Sequence, residues 1–107
     1  MMKYRLVAID LDGTVVNKDG VIIPGAREAV QRLLARGCVV TLATGRMYQP
    51  SNRFAGELNI SAPLICYQGA LIREPGNGGV LWHKPLPLTL ARTVIASTRK
   101  EGVHLYA

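Results

Sequence analysis

Residues 5–17 read Arg-Leu-Val-Ala-Ile-Asp-Leu-Asp-Gly-Thr-Val-Val-Asn, and this stretch decides the fold class that the sequence predicts. The apolar run at 6–9 is typical of a central strand in a parallel sheet, which is covered on both faces. Asp10 then lies at the carboxyl end of the strand, where open α/β sheets bind ligands. Asp12 follows two residues later, and Gly13 permits a sharp turn, so both carboxylates can face one polar pocket. The stretch therefore predicts an α/β fold with an acidic site at a strand end.

Two carboxylates in one pocket need a counter-charge. Magnesium takes oxygen ligands and is usually held by one or two carboxylates together with substrate phosphate, so Asp10 and Asp12 are candidate Mg²⁺ ligands. An Asp-x-Asp-Gly sequence can also be only a turn, in which the Asp side chains accept hydrogen bonds from nearby backbone amides. The apolar run before Asp10 and a second motif downstream favour the metal site.

That second motif is Cys-Val-Val-Thr-Leu-Ala-Thr-Gly-Arg at residues 38–46, another buried-strand run that ends in polar groups. Thr44 can donate its hydroxyl to a phosphoryl oxygen, Gly45 lets the backbone approach a ligand closely, and Arg46 adds positive charge. The alternatives are that Thr44 caps a helix and that Arg46 forms a surface salt bridge. Together with the two carboxylates, the motif indicates phosphoryl-transfer chemistry.

The two motifs resemble the first and second motifs of the haloacid dehalogenase superfamily, particularly its Cof-type sugar-phosphatase branch. Residues 15–23 alternate about an Asp-Gly turn, which predicts a β-hairpin and matches the flap of that family. Residues 65–72 resemble the third strand and its turn, although Gln68 stands where relatives usually have Asn before Gly69. The resemblance implies a Rossmann-like three-layer α/β/α core with a parallel sheet, a β-hairpin flap and the start of an α/β cap.

The resemblance also implies a mechanism. Asp10 would attack phosphorus to form an aspartyl-phosphate and would bind Mg²⁺, while Asp12 would be the general acid and base and would offer its main-chain carbonyl to the metal. The substrate would be a small phosphorylated metabolite, with sugar phosphates expected for this branch. The other implied site residues are Thr44, Gly45, Gly13 and Arg46 on the phosphate side, and Gln68 and Gly69 in the substrate-side turn.

Part of the family's site has no counterpart in this sequence. Relatives complete it with a later lysine and an acidic metal-binding motif, whereas the only acidic residues after the third strand are Glu74 and Glu101. A core with a cap also needs about twice the present length. We therefore expect the N-terminal part of a hydrolase, with very low activity alone. The alternatives are a non-catalytic phosphate-binding or oligomerising relic, and one half of a split enzyme completed by a C-terminal half.

The remaining pattern predicts the other elements, and the resemblance implies the domain division. Residues 1–83 are expected to form the core, and residues 84–107 the beginning of a C2-type cap. Because an unpaired strand and an uncovered helix face tend to pair with another copy, a homo-oligomer is expected. The predicted elements are helices near 26–34, 50–58 and 88–101, a hairpin of 70–73 with 80–84, and a closing strand at 103–106.

Composition excludes several classes of protein. The net charge is +6, but the basic residues are dispersed and lack interleaved aromatic residues, which argues against nucleic-acid binding. No apolar run approaches the length of a membrane span, and the N-terminus lacks the pattern of a secretory signal, so the cytoplasm is expected. Cys38 and Cys66 fall in predicted buried strands, which is typical of free core thiols in a reducing compartment.

Overall fold

The computed structural model describes residues 3–105. Its strands and helices alternate in the first half of the chain, and an antiparallel hairpin and a helix follow. Tyr67–Gly69 forms a short 3₁₀ turn between two of the strands. The elements are β1 (Leu6–Ile9), α1 (Pro24–Ala35), β2 (Val39–Leu42), α2 (Tyr48–Glu57), β3 (Leu64–Cys66), β4 (Leu71–Arg73), β5 (Val80–His83) and α3 (Leu88–Glu101).

The first three strands run parallel. Strand β1 pairs with β2 in a register that matches Leu6 to Val39, and a parallel bridge between Ala43 and Ile65 continues the sheet from β2 to β3. The carboxyl ends of all three strands therefore meet at one edge of the sheet. This arrangement confirms the predicted α/β, Rossmann-like fold, and it places the loops after Ile9, Leu42 and Cys66 next to one another.

Helix α1 follows its predicted amphipathic pattern. Pro24 occupies its first turn, where a missing N–H costs nothing, and Val30 is buried in the core. Gly37 ends the helix with a φ of +78°, and its N–H donates to the Leu34 carbonyl at 2.9 Å. The predicted bounds are confirmed to within two residues at the N-terminal end.

Helices α1 and α2 contact each other on one face of the sheet. The Arg27 guanidinium donates to the Glu57 carbonyl at 2.6 Å, and the Gln31 amide donates to the Leu58 carbonyl at 2.9 Å. The described residues thus form the sheet and one of its two expected helical layers. The core beneath this layer consists of Leu11, Val15, Val16, Ile22, Val30, Val40, Leu42, Tyr48, Phe54, Ala55, Leu58, Ile60, Leu64 and Cys66. As predicted, Cys38 and Cys66 are buried and free.

The flap is shorter than the sequence predicts. Its two arms pair through a single antiparallel bridge between Val16 and Ile22 rather than through a ladder. The Asn17 carboxamide oxygen accepts hydrogen bonds from the N–H groups of Asp19 and Val21, both at 3.0 Å. Because this side chain satisfies the backbone of the turn, the hairpin needs little strand pairing.

The predicted hairpin of β4 and β5 is confirmed, and α2 holds its turn. The Tyr48 hydroxyl donates to the Glu74 carbonyl at 2.7 Å and accepts from the Asn77 N–H at 3.0 Å. The Asn52 carboxamide accepts from the Gly76 N–H at 2.7 Å. These bonds join the hairpin turn to the part of the chain that carries the strand-end loops.

The C-terminal region lies apart from this core. Helix α3 has its predicted bounds and ends at Gly102, but none of its residues is buried. The radius of gyration is 16.2 Å, against about 13 Å for a compact domain of this length. The predicted closing strand is wrong for Val103–Leu105, which lie in no strand because no partner strand lies beside them in the described residues, and Tyr106 lies outside those residues. Over 3–105, no helix has both the length and the apolarity to cross a bilayer.

Candidate active site

A cleft of about 310 Å³ opens at the edge where the three parallel strands end. Asp10 lies at its β1 side, and its side chain is exposed. The cleft is lined by Asp10, Ala43, Thr44, Gly45, Ile65, Gln68 and Gly69. The structure therefore brings together five of the residues that the sequence nominated, from three different loops, whereas Asp12, Gly13 and Arg46 are not among the lining residues.

Thr44 is buried in the wall of this cleft, and backbone hydrogen bonds fix its position. Its residue is only 5 % exposed, and its N–H donates to the Ile65 carbonyl at 2.9 Å. The Thr44 hydroxyl oxygen accepts from the Arg46 N–H at 3.1 Å, which leaves the hydroxyl hydrogen available to a ligand. The residue that precedes α2 is Met47, so Thr44 does not cap that helix. The capping alternative is therefore wrong.

Gly45 lies where two loops approach each other closely. A Cβ atom at residue 45 would lie 3.0 Å from Cδ of Gln68 and would overlap the amide nitrogen of that side chain. The φ angle of Gly45 is not in the left-handed region, and a Cβ there would meet only the flexible end of the Gln68 side chain, which could move aside. The Gln68 amide fills the space that the missing side chain leaves.

Arg46 binds Asp12 rather than lining the cleft. Its Nε lies 2.7 Å from Oδ2 of Asp12, and its Nη2 lies 2.5 Å from Oδ1, so the pair is bidentate. These hydrogen bonds lower the pKa of Asp12 and raise the pKa of Arg46, against the smaller opposing effect of burial. The guanidinium carbon also lies 5.3 Å from the centre of the Phe54 ring, a cation–π distance. Arg46 therefore forms a salt bridge, as the alternative interpretation predicted, and its partner is Asp12, the second of the two candidate site carboxylates.

The turn after β1 determines which of its groups remain free. Gly13 has a φ of +79°, and its N–H donates to the Val16 carbonyl at 3.0 Å, so a phosphate contact from this amide requires that bond to open. Leu11 is fully buried between the two carboxylates. Its carbonyl accepts from the N–H groups of Val15 and Val16, both at 2.9 Å, and so fixes the turn.

The free oxygens fit part of a magnesium site. The Asp10 carboxylate and the Asp12 carbonyl accept no hydrogen bond from any residue in 3–105, whereas both carboxylate oxygens of Asp12 are bound by Arg46. Within the same residues, no group of three or more His, Cys, Asp and Glu side chains could hold a metal. One carboxylate and one carbonyl suit Mg²⁺, which takes its other ligands from water and substrate phosphate.

Sequence reasoning missed two features of the cleft. Ala43 and Ile65 give it apolar walls, and their bridge across the sheet could not be read from local spacing. Tyr67 and Gln68 both adopt left-handed backbone angles, with φ of 50° and 55°. Only Gly69 signals a turn in the sequence at this point.

The comparisons with known proteins agree with this geometry. A sequence model of the family described as haloacid dehalogenase-like hydrolase matches residues 7–107. The chain belongs to this family. Its α/β fold is the one that the resemblance implied.

The relatives that this chain matches include named phosphatases. It is 29 % identical to the 5-amino-6-(5-phospho-D-ribitylamino)uracil phosphatase YitU of Bacillus subtilis over 95 % of this chain and 38 % of that protein. It is 28 % identical to the pyridoxal phosphate phosphatase YbhA of Escherichia coli over 96 % of this chain and 38 % of that protein. The haloacid dehalogenase-like chain therefore spans less than two fifths of the length of these relatives.

A solved structure supports the fold. The crystal structure of a haloacid dehalogenase-like hydrolase from Bacteroides thetaiotaomicron superposes with a TM-score of 0.81 and is 26 % identical, covering 94 % of this chain and 39 % of that one. The prediction that the chain comes from a hydrolase family whose members include phosphatases is thus confirmed.

Proposed function

We propose that this chain supplies the nucleophile and the phosphate-binding loop of a Mg²⁺-dependent phosphatase that acts on small phosphorylated metabolites, with sugar phosphates the expected class. The single observation that carries the proposal is the cleft shared by Asp10 and Thr44. A carboxylate and a hydroxyl donor on one cleft supply the two groups that this chemistry needs, a nucleophile and a phosphoryl ligand. In-line attack requires this arrangement.

In this proposal Asp10 is the nucleophile. One of its oxygens forms a bond to phosphorus as the bond from phosphorus to the ester oxygen breaks, which yields an aspartyl-phosphate and an alcohol. Water then attacks the aspartyl-phosphate and releases inorganic phosphate and the free carboxylate. The exposed position of Asp10 at the strand end gives substrate and water access to it.

Thr44 and Gly45 hold the phosphoryl group. The Thr44 hydroxyl donates its remaining hydrogen to a phosphoryl oxygen, and Gly45 lines the same cleft beside it. Because phosphoryl transfer depends mostly on positioning and charge stabilisation, fixed donors at this point lower the barrier. The burial of Thr44 keeps its hydroxyl in one place.

Asp12 moves the protons in this scheme, and Arg46 controls when it does so. Once Arg46 has moved away, Asp12 takes up a proton from solvent, gives it to the leaving oxygen in the first step and accepts one from the attacking water in the second. While Arg46 is bound to it, Asp12 is held ionised, because the ion pair lowers its pKa. A phosphate that draws Arg46 toward the cleft releases Asp12, so the same movement would place a positive charge near the phosphate.

Magnesium, held through Asp10 and the Asp12 carbonyl, would neutralise charge on the phosphate and on Asp10 when bound. Without that neutralisation, the repulsion between the carboxylate and the phosphate costs several kcal/mol, on the order of 4 kcal/mol for two unit charges at 4 Å and an effective dielectric of 20. The missing lysine and acidic motif of relatives would add further charge balance. We therefore propose very low turnover for the chain alone. We also propose that residues 84–107 are the beginning of a cap.

A complementing C-terminal half or a second copy is the proposed partner. The observation in favour is exposed apolar surface: Leu6 on the edge strand β1 is 59 % exposed, and Leu88 on α3 is 66 % exposed. We expect the chain to elute as a dimer or larger assembly in size-exclusion chromatography at micromolar concentration. A folded monomer under those conditions would contradict the oligomer proposal, and the split-enzyme proposal is tested by adding the C-terminal half of a relative.

The phosphate-binding claim is tested with Thr44→Val, which replaces the hydroxyl by a methyl group of similar size. Calorimetric titration with inorganic phosphate in Mg²⁺ should show binding that this variant weakens by about tenfold, because one hydrogen bond to a charged group is lost. Thr89→Val, an exposed threonine on α3, is the matched control and should bind as the unmodified chain does. Equal affinity in both variants would contradict the proposal.

A further inference from the structure

The turn that closes the cleft on the β3 side has an unusual backbone. Three successive residues have positive φ angles, at 50° for Tyr67, 55° for Gln68 and 94° for Gly69. Glycine adopts such angles freely and asparagine does so fairly often, but tyrosine and glutamine rarely do. Residues held in unfavourable angles cluster at functional sites, where surrounding contacts enforce them.

Two backbone hydrogen bonds tie this turn to the phosphate loop. The Tyr67 N–H donates to the Arg46 carbonyl at 3.0 Å, and the Gln68 N–H donates to the Thr44 carbonyl at 3.2 Å. The loop and the turn are thus one structural unit. These two bonds place residue 68 directly beside Thr44 and Gly45.

The side chain of Gln68 lies over Gly45. Its Cδ is 3.0 Å and its Cγ 3.6 Å from the position that a Cβ at residue 45 would take, so the amide occupies the space that glycine leaves empty. Gln68 lines the cleft together with Asp10 and Thr44, and it is exposed to solvent. Within residues 3–105 it has no hydrogen-bond partner, although it carries two donor hydrogens and one acceptor oxygen.

We propose that Gln68 is a specificity-determining residue whose amide binds a hydroxyl or carbonyl group in the organic part of the phosphomonoester. This inference rests on the proposed function, in which Thr44 and Gly45 hold the phosphoryl group. In the proposed function the phosphoryl group binds at Thr44 and Gly45. Because the Gln68 amide lies next to Gly45, it adjoins this group and can contact the organic part attached to it. A neutral amide that both donates and accepts matches a hydroxyl group better than it matches a phosphate oxygen, which only accepts.

The test compares three ligands in the 107-residue chain with Mg²⁺ present. Glycerol phosphate and n-propyl phosphate have the same carbon chain and differ by two hydroxyl groups, and inorganic phosphate has no organic part. We expect the unmodified chain to bind glycerol phosphate about three- to tenfold more tightly than propyl phosphate, the range of one neutral hydrogen bond. Absence of any preference in the unmodified chain would overturn the inference.

The variants are Gln68→Ala and Gln68→Gly. Glycine accepts a φ of 55° without strain, so Gln68→Gly should fold at least as well as the unmodified chain. Both variants should lose the preference for glycerol phosphate while keeping the affinity for inorganic phosphate within about twofold. Gln49→Ala, an exposed glutamine on α2, is the matched control and should keep the preference.

Each other outcome counts against a specific claim. A preference that survives in both Gln68 variants, or an equal loss of affinity for all three ligands, would overturn the role of Gln68. Failure of the unmodified chain to bind inorganic phosphate would instead contradict the proposed function, and with it the ground for the inference.

Discussion

Asp10 and Asp12 carry the same side chain two residues apart, yet the structure puts them in different surroundings. Asp10 lines the cleft and accepts no hydrogen bond from residues 3–105, whereas Asp12 is bound by Arg46 through two hydrogen bonds. The buried Leu11 separates them. The proposed function uses this difference: the free carboxylate attacks phosphorus, and the paired one must part from Arg46 before it can take up and transfer a proton.

The largest expected effect comes from removing the free carboxylate. Asp10→Asn should lower the hydrolysis of p-nitrophenyl phosphate by about a thousandfold or more, because the nucleophile is lost while the shape of the side chain is kept. The measurement is a Mg²⁺-dependent rate at high protein concentration, with the C-terminal half of a relative added if the chain alone is too slow.

Asp19→Asn is the matched control for this change. Asp19 is the third aspartate of the chain and lies exposed in the flap turn, so its replacement should leave the rate unchanged. If the Asp10→Asn variant kept its activity, Asp10 would not be the nucleophile, and the proposed difference in role between Asp10 and Asp12 would be wrong.

Removing the residue between the carboxylates should have the next largest effect, this time on stability. Leu11→Ala should lower the free energy of unfolding by about 2–5 kcal/mol, because Leu11 is fully buried and its loss leaves a cavity. Urea denaturation followed by circular dichroism measures this change. Leu90→Ala on the exposed side of α3 should cost less than about 0.5 kcal/mol. A small effect of Leu11→Ala would show that the turn does not depend on packing.

Features that depend on local sequence were predicted correctly, whereas features that depend on contacts distant in sequence were not. The strand before Asp10 and the helix that ends at Gly102 follow from local patterns of apolar residues, proline and glycine, so they were predicted correctly. The bond between Asp12 and Arg46 joins residues 34 positions apart, and local spacing cannot choose between Asp12 and a phosphate as the partner. The left-handed angles of Tyr67 and Gln68 accompany hydrogen bonds to the carbonyls of Arg46 and Thr44, which are distant in sequence. The predicted strand at 103–105 was wrong because a strand needs a neighbouring strand to pair with, which local sequence does not reveal.

The smallest expected effect concerns the ion pair. Arg46→Ala should raise the pKa of Asp12 back toward 3.8, since the guanidinium is the main cause of its lowered value. Because a lowered folded-state pKa stabilises the fold above the ordinary value, the advantage of the unmodified chain over Arg46→Ala should be present at pH 7 and disappear as the pH falls below about 4. The pair is partly exposed, so the advantage should be about 1 kcal/mol or less.

Urea titrations of the two proteins at pH 7 and pH 3 measure this difference, and the carbon resonance of the Asp12 carboxyl group reports its pKa directly. Arg53→Ala is the control, because Arg53 pairs with Glu57 on the surface of α2 and leaves Asp12 untouched. An unchanged Asp12 pKa in the Arg46→Ala variant would show that the two side chains are not paired in solution.

The most direct test of the central claim is an NMR titration of the chain with inorganic phosphate in Mg²⁺. If Asp10 and Thr44 share a phosphate-binding cleft, the amide resonances of Gly45 and Gly69 should shift together and saturate, and Thr44→Val should reduce the response of both. Shifts confined to the basic residues of α3, with Gly45 and Gly69 unmoved, would contradict the account.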